Sequence, residues 1–350
     1  MNVGEMLQGL ERKKAVSGHA VIGRLSGATL RNVSLREMDF RQAELGDCKM
    51  TSTTLVGCDF RGCDFSAVTM SNMIWHNCDL RGATFAAQTI DRFIMSNCDL
   101  SGVNFSDALI IKSAINDSPF VGACFDRSRL IKTTLSKSPV TSASFNDIVW
   151  ESFSLCEADF TDVVWRPRSV AKAVLVKCVF PNLDLSETTF TNCAFNNSQF
   201  SHVSFAKASL THCQFIACDL DTVNFAAADL ETNIFAQAKL KACQFNNAEM
   251  AQSNFDDATL TNTDLSRANL IQARFVGAKM ERVSLKDTNV REGDFSHATC
   301  TDTDFSGANL QYANFHQVQG NYSLSKVQQA SSLGTDEDRL TMEKRLGVVA

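Results

Sequence analysis

A chain of 350 residues that is 44% hydrophobic and 21% charged, with only 4 Pro and 17 Gly, is neither disordered nor collagen-like; it has the composition of an ordered protein with a large core. Its formal net charge of -6 excludes a surface built to grip phosphate backbones, which needs clustered Lys and Arg, so no direct nucleic-acid contact is expected. No run approaches the ~18 apolar residues of a membrane span, and Gln8, Glu11, Arg12, Lys13 and Lys14 break up any secretory leader; both predict a cytoplasmic protein, or one exported without a signal peptide.

The first predicted element is a short amphipathic helix from Val3 to Lys14, with Met6, Leu7 and Leu10 on one face. Residues 1–24 are expected to cap a repeat array, because such an array must cover its terminal apolar cross-section and open strand edges. From Leu25 to Phe315 every fifth residue is apolar, about 59 centres without a polar one. Leu and Phe dominate, and of the 25 Phe only Phe93 and Phe153 lie elsewhere. Two positions before each centre the residue is small, as at Ala28, Cys58, Ala83 and Ala208; one position before, Asp or Asn is frequent, as at Asp39, Asp99 and Asn224. A period of five suits neither a helix nor a strand, so the chain must turn once per repeat.

Segments such as Ala308-Asn309-Leu310-Gln311-Tyr312 and Ala268-Asn269-Leu270-Ile271-Gln272 resemble the pentapeptide-repeat family, and the likeness spans residues 25–318. The resemblance implies an all-β solenoid: a right-handed, quadrilateral parallel β-helix with four pentapeptides per coil, about 15 coils and a length of about 70 Å at ~4.8 Å per coil. The centre and the small residue before it then point inward and fill the core. Residues twenty apart should stack, and Phe195, Phe215, Phe235, Phe255, Phe275, Phe295 and Phe315 form one such column.

The pattern departs from itself between Ile148 and Val170, where the small site holds Ile148, Phe153 and Arg168. The run Trp165-Arg166-Pro167-Arg168 predicts an irregular coil, because Pro167 has no N–H to give a neighbouring coil. It reads either as a packing irregularity, in the form of a loop, bulge or bend, or as a binding or hinge site using Arg166 and Arg168. From Asp184 to Asp264 there are ten acids against Lys207, Lys239 and Lys241. Asp219, Asp221, Asp229, Glu231, Glu249, Asp256 and Asp257 form a candidate acidic partner-binding face, the alternative being solvated acids that assist turns.

Residues 319–350 are expected to hold a linker, rich in Gln and Ser up to Ser332, and a helix over Asp336 to Leu346 that begins at Thr335. Leu340, Leu346, Val348 and Val349 offer apolar surface there, so the chain reads as a monomer with a C-terminal cap or as a homodimer formed through this helix. Ten of the 13 Cys sit on the small inward site, as Ala substitutes, with Cys58, Cys78 and Cys98 in one column. None of the six His occupies an inward site, and no P-loop, GxSxG or HExxH motif is present. No enzymatic activity, cofactor or metal is expected.

Two functions remain. The first is a protein-interaction scaffold or adaptor presenting flat walls to a partner the sequence does not name, of the kind the resemblance associates with effectors and accessory proteins of bacterial secretion systems. The alternative, also implied by the resemblance, is a DNA mimic that binds DNA gyrase or topoisomerase IV and protects or inhibits it.

Overall fold

The computed structural model describes residues 2–13 and 15–347, leaving aside the side chains of 12 and 13. The chain packs as two compact units, Met1–Val179 and Phe180–Ala350, each a parallel β-solenoid.

One turn recurs throughout. In many pentapeptides the small residue donates its N–H to the preceding centre, as Ala208 does to Phe205 and Ala258 to Phe255, both at 3.0 Å. The second residue after nearly every centre has positive φ, as at Asn197 (59°) and Gln237 (60°). This is the demand of a type II turn, and Asn, Asp and Gly meet it with least strain.

The first unit opens with helix α1, Val3–Lys13. Asn2 and Glu5 cap it reciprocally, each side chain accepting the other's backbone N–H at 2.8 Å. Met6 and Leu10 bury themselves on the first coil. One wall is a sheet of nine strands that opens with Ala15–Ser17 and Ser34–Arg36; its last seven, Thr54–Val56, Ile74–His76, Ile94–Ser96, Ala114–Asn116, Thr134–Ser136, Ser154–Cys156 and Val174–Val176, stack in strict register twenty residues apart. A second wall stacks Ile90, Ile110, Leu130, Trp150 and Val170. Inside, Phe65, Phe85, Phe105, Phe125 and Phe145 form a face-to-face column with centroids 4.5–5.2 Å apart.

A third wall carries an ion-pair zipper written in the sequence as Asp39-Phe40-Arg41, Asp59-Phe60-Arg61 and Asp79-Leu80-Arg81. Each Arg pairs with its own Asp at 2.6–2.7 Å and reaches the Asp of the next coil at 3.3–3.6 Å. The Arg41 hydrogen bond holds the Asp39 carboxyl down at about 2. Because these groups are partly solvated, Asp59→Asn is expected to lower stability by no more than about 1 kcal/mol, and by less in high salt; urea unfolding at two salt concentrations checks this.

At Pro167 the structure corrects the sequence register. Pro167 falls where other repeats require positive φ, which its ring forbids. The turn therefore inverts: Pro167 is buried and Arg168, placed inward by the period, is exposed. The irregularity stays within the turn. Strand Val164–Arg166 pairs in register with Ser144–Asn146, and Ser169–Ala171 with Val149–Glu151, without a bulge.

In the second unit the Phe195 to Phe315 column stacks at 4.9–5.1 Å. Phe205, Phe225 and Phe245 stack on the wall facing it, and Phe225 meets Phe235 edge-on at 5.9 Å across the core. Leu220, Leu240, Leu260, Met280 and Cys300 line a further wall.

The expected linker is instead a closing coil. Strand Gln319–Ser323 extends the sheet, with Gly320 at φ 107° directly against the Cys300 carbonyl, where no Cβ fits. Tyr322 lays its ring on Phe315, helix α2 (Lys326–Ser331) comes next, and buried Gln328 donates to the carbonyls of Phe305 and Ala308 at 2.7 and 3.0 Å. Helix α3, Glu337–Leu346, is capped by Asp336 rather than Thr335, because the Asp336 carboxylate accepts the Arg339 N–H.

Candidate functional site

The seven acids proposed as one face are dispersed. Asp219 and Asp221 flank Leu220, whereas Asp229 and Glu231 flank Leu230 and Glu249 flanks Met250, ten residues or an odd multiple of ten away and so on the opposite wall; Asp256 and Asp257 lie at a corner. The reason is the coil itself: centres ten apart face one another across the core, as Phe225 and Phe235 do. Three of the seven are also engaged by other side chains, Asp221 by Lys241 at 3.0 Å, Asp256 by Arg274 at 2.8 Å and Glu249 by Asn269 at 2.9 Å.

A different surface stands out. The last seven strands of the nine-strand wall, Thr54–Val56 to Val174–Val176, contain no Asp, Glu, Lys or Arg, whereas Arg36 stands exposed on the strand before them and the other walls of that unit carry Lys49 and Glu151, Asp64 and Asp126, or the Arg–Asp zipper. Ile74, Ile94 and Val174 stand 45%, 48% and 41% exposed on it, between half-buried Ser96, Asn116 and Ser136. An uncharged, rigid, partly aliphatic strip is the composition of an interface centre, from which charge is normally excluded. Sequence reasoning passed over it by weighing where acids gather instead of where charge is missing; the strands' period of twenty would have exposed the gap.

The thiols are packing groups. Cys63, Cys178, Cys218 and Cys243 are buried, and burial pushes each up to about 12; Cys78, between the thiols of Cys58 and Cys98, is also raised. Such groups stay protonated and are neither nucleophiles nor ready metal ligands.

At the C-terminal end, His297, His316 and Glu343 bring ligand atoms within 4.8 Å of one another, a convergence the sequence reading missed. His316, assigned to the surface by its place in the repeat, is buried because α3 covers it. Its Nδ1 accepts the Asp336 N–H at 3.1 Å, so its Nε2 carries the proton and donates to Glu343 at 3.0 Å. Arg339 donates to the same carboxylate at 2.7 Å and faces His297 Nε2 at 3.3 Å. A cation thus already fills the cluster, which clamps α3 to the last coils.

The His316 hydrogen bond, helped by Arg339, holds the Glu343 carboxyl down at about 2 from 4.5. A depressed acid contributes stability above its unfolded value and loses it as pH falls through the folded one. Amide protection in α3, measured relative to the intrinsic exchange rate at each pH, is therefore expected to hold from pH 7 to about 4.5 and to fall towards pH 2, and Glu343→Ala to show the low protection already at pH 6. On this helix Leu340 is half-buried and Leu346 is 75% exposed; Val348 and Val349 lie outside the described residues.

A family model for a pentapeptide repeat region matches residues 188–260 and 248–323, and one for pentapeptide repeats in eight copies matches residues 24–66 and 78–127. No curated protein matches the chain. Among solved structures it is similar to HetL, a pentapeptide repeat protein involved in heterocyst differentiation regulation from Nostoc sp. strain PCC 7120, at 20% identity over 66% of this chain and 88% of that one, with a TM-score of 0.26. It is similar too to full-length QnrB1, a plasmid-mediated fluoroquinolone resistance protein, at 14% identity over 95% and 100%, TM-score 0.25. A pentapeptide repeat protein of the Arabidopsis thaliana thylakoid lumen matches at 29% identity over 35% and 79%, TM-score 0.22. None of the helices described is long and apolar enough to cross a membrane.

Proposed function

Because the chain belongs to the pentapeptide-repeat family, we propose that it is a non-enzymatic protein-interaction scaffold and that the uncharged wall of its first unit is the surface it offers. The observation that carries this reading is the stretch of seven in-register strands, Thr54–Val56 to Val174–Val176, free of charged side chains and exposing Ile74, Ile94 and Val174. Backbone hydrogen bonds between coils fix the spacing of those side chains, so a partner binds a preformed surface and little ordering entropy opposes association. The thiols of Cys63, Cys178, Cys218 and Cys243, raised by burial, and the engagement of His297 and His316 by Glu343 support the non-enzymatic part. Thirteen free cysteines suit a reducing compartment, the cytoplasm first.

The DNA-mimic alternative needs a continuous anionic face, and the acids that would build it are divided between opposite walls and partly paired. A gyrase supercoiling assay at low and high salt, with and without a quinolone, separates the two readings. The scaffold reading expects no change in supercoiling at micromolar protein. Protection or inhibition that weakens with salt would move the function to the acidic residues.

A further inference from the structure

We propose that the occupant of the uncharged wall is an amphipathic α-helix of a partner protein, with acidic residues along one side of its apolar stripe; this rests on the wall being the binding surface. The two long edges of the wall differ in charge. Along one corner Arg92, Lys112, Lys132 and Lys172 hold the positive-φ turn position, all exposed, and the first three come from consecutive coils. Arg92 pairs with Asp91 at 2.7 Å, but Lys112, Lys132 and Lys172 make no ion pair among the described residues. Along the other corner Asn77, Asn97 and Asp117 precede Lys137, Glu157 and Lys177, and the last two pair with each other at 3.4 Å.

The fold gains nothing from these lysines. At the same turn position in other coils Asn32, Ser52, Asn72 and Ser152 serve, and the left-handed backbone favours Asn over Lys. A row of exposed cations, its lysines unpaired, beside an uncharged and partly aliphatic strip is the complement of an apolar stripe with an acidic border.

The spacing selects a helix. Coils repeat every ~4.8 Å along the wall. Helix positions i, i+3/i+4 and i+7 repeat every ~5 Å along one stripe, so successive apolar residues meet successive rungs, and acids one position over meet Arg92, Lys112 and Lys132 in turn. An added strand would need a free sheet edge, whereas this wall presents side chains, its backbone groups being committed between coils.

Two fluorescein-labelled helical peptides of about 18 residues, with one Leu stripe and either Glu or Lys on its flank, test this by anisotropy against the full chain. Net charge alone would favour the Lys peptide, since the protein carries -6. The proposal predicts the reverse: the Glu peptide binds at least about tenfold tighter, and the difference shrinks on going from about 50 to about 500 mM salt. Lys112→Glu with Lys132→Glu should invert the preference, and Ile74→Asp with Ile94→Asp should abolish binding of both peptides. Absence of binding by either peptide overturns the helical occupant. Equal binding of the two, or a Glu preference that survives the lysine changes, overturns the acidic border while leaving the wall intact. Binding indifferent to the isoleucine changes overturns the wall reading itself.

Discussion

Phe255→Ala is expected to destabilise the second unit by about 3–5 kcal/mol, the largest single-residue effect foreseen for this chain. Phe255 is fully buried, stacked between Phe235 and Phe275 at 4.9 Å on each side and edge-on to Phe245 at 6.2 Å. Removing the ring loses its burial and both stacking partners at once. The void cannot collapse, because the Phe255 N–H is tied to the Arg274 carbonyl at 2.7 Å and the Phe235 N–H to Asn254 at 2.7 Å, which keeps the coils at their separation. Urea unfolding should show a large fall in midpoint, with Phe255→Leu losing well under half as much; equal losses would mean that stacking and volume are not what the column supplies.

The second large effect is on binding. Ile74→Asp with Ile94→Asp is expected to leave the urea midpoint almost unchanged, since both side chains are about half exposed and only Trp75 and Met95 between them face the core. Partner binding should weaken by at least about 2 kcal/mol, or about thirtyfold, because two carboxylates would be desolvated at the centre of the interface without a counter-charge. Capture on immobilised protein from lysate of the source organism should lose its specific bands with this variant and keep them with Asp219→Asn and Asp229→Asn. Retention of the bands by the isoleucine variant would place the surface elsewhere.

The period of five and the Phe column made the solenoid readable residue by residue, because inward positions answer to one requirement only, filling a narrow core. Positions governed by two requirements were less legible. Counting by fives places Arg168 inward, but Pro167 one place earlier cannot take positive φ, and the turn's geometry overrides the count. Gln319–Ser323 looks like linker in composition, yet Tyr322 and Gln328 supply what a last coil needs, a ring over Phe315 and donors for the Phe305 and Ala308 carbonyls.

His316 is buried by a helix whose Glu343 lies 27 residues later, a tertiary effect no local pattern carries. The acidic residues misled for a simpler reason. Clustering in sequence is not clustering in space when a coil of twenty residues sends positions ten apart to opposite walls.

The central claim, that the first unit's uncharged wall is where partners bind, is tested most directly by site-specific photocrosslinking in living cells of the source organism. A photoreactive side chain is placed in turn at Ile74, Ile94 and Thr134 on that wall, and at Asp219, Glu231 and Thr259 in the second unit. The account predicts discrete higher-mass adducts from the first three positions and none from the others. Adducts from Asp219 or Glu231 with silence at Ile74 and Ile94 would contradict it.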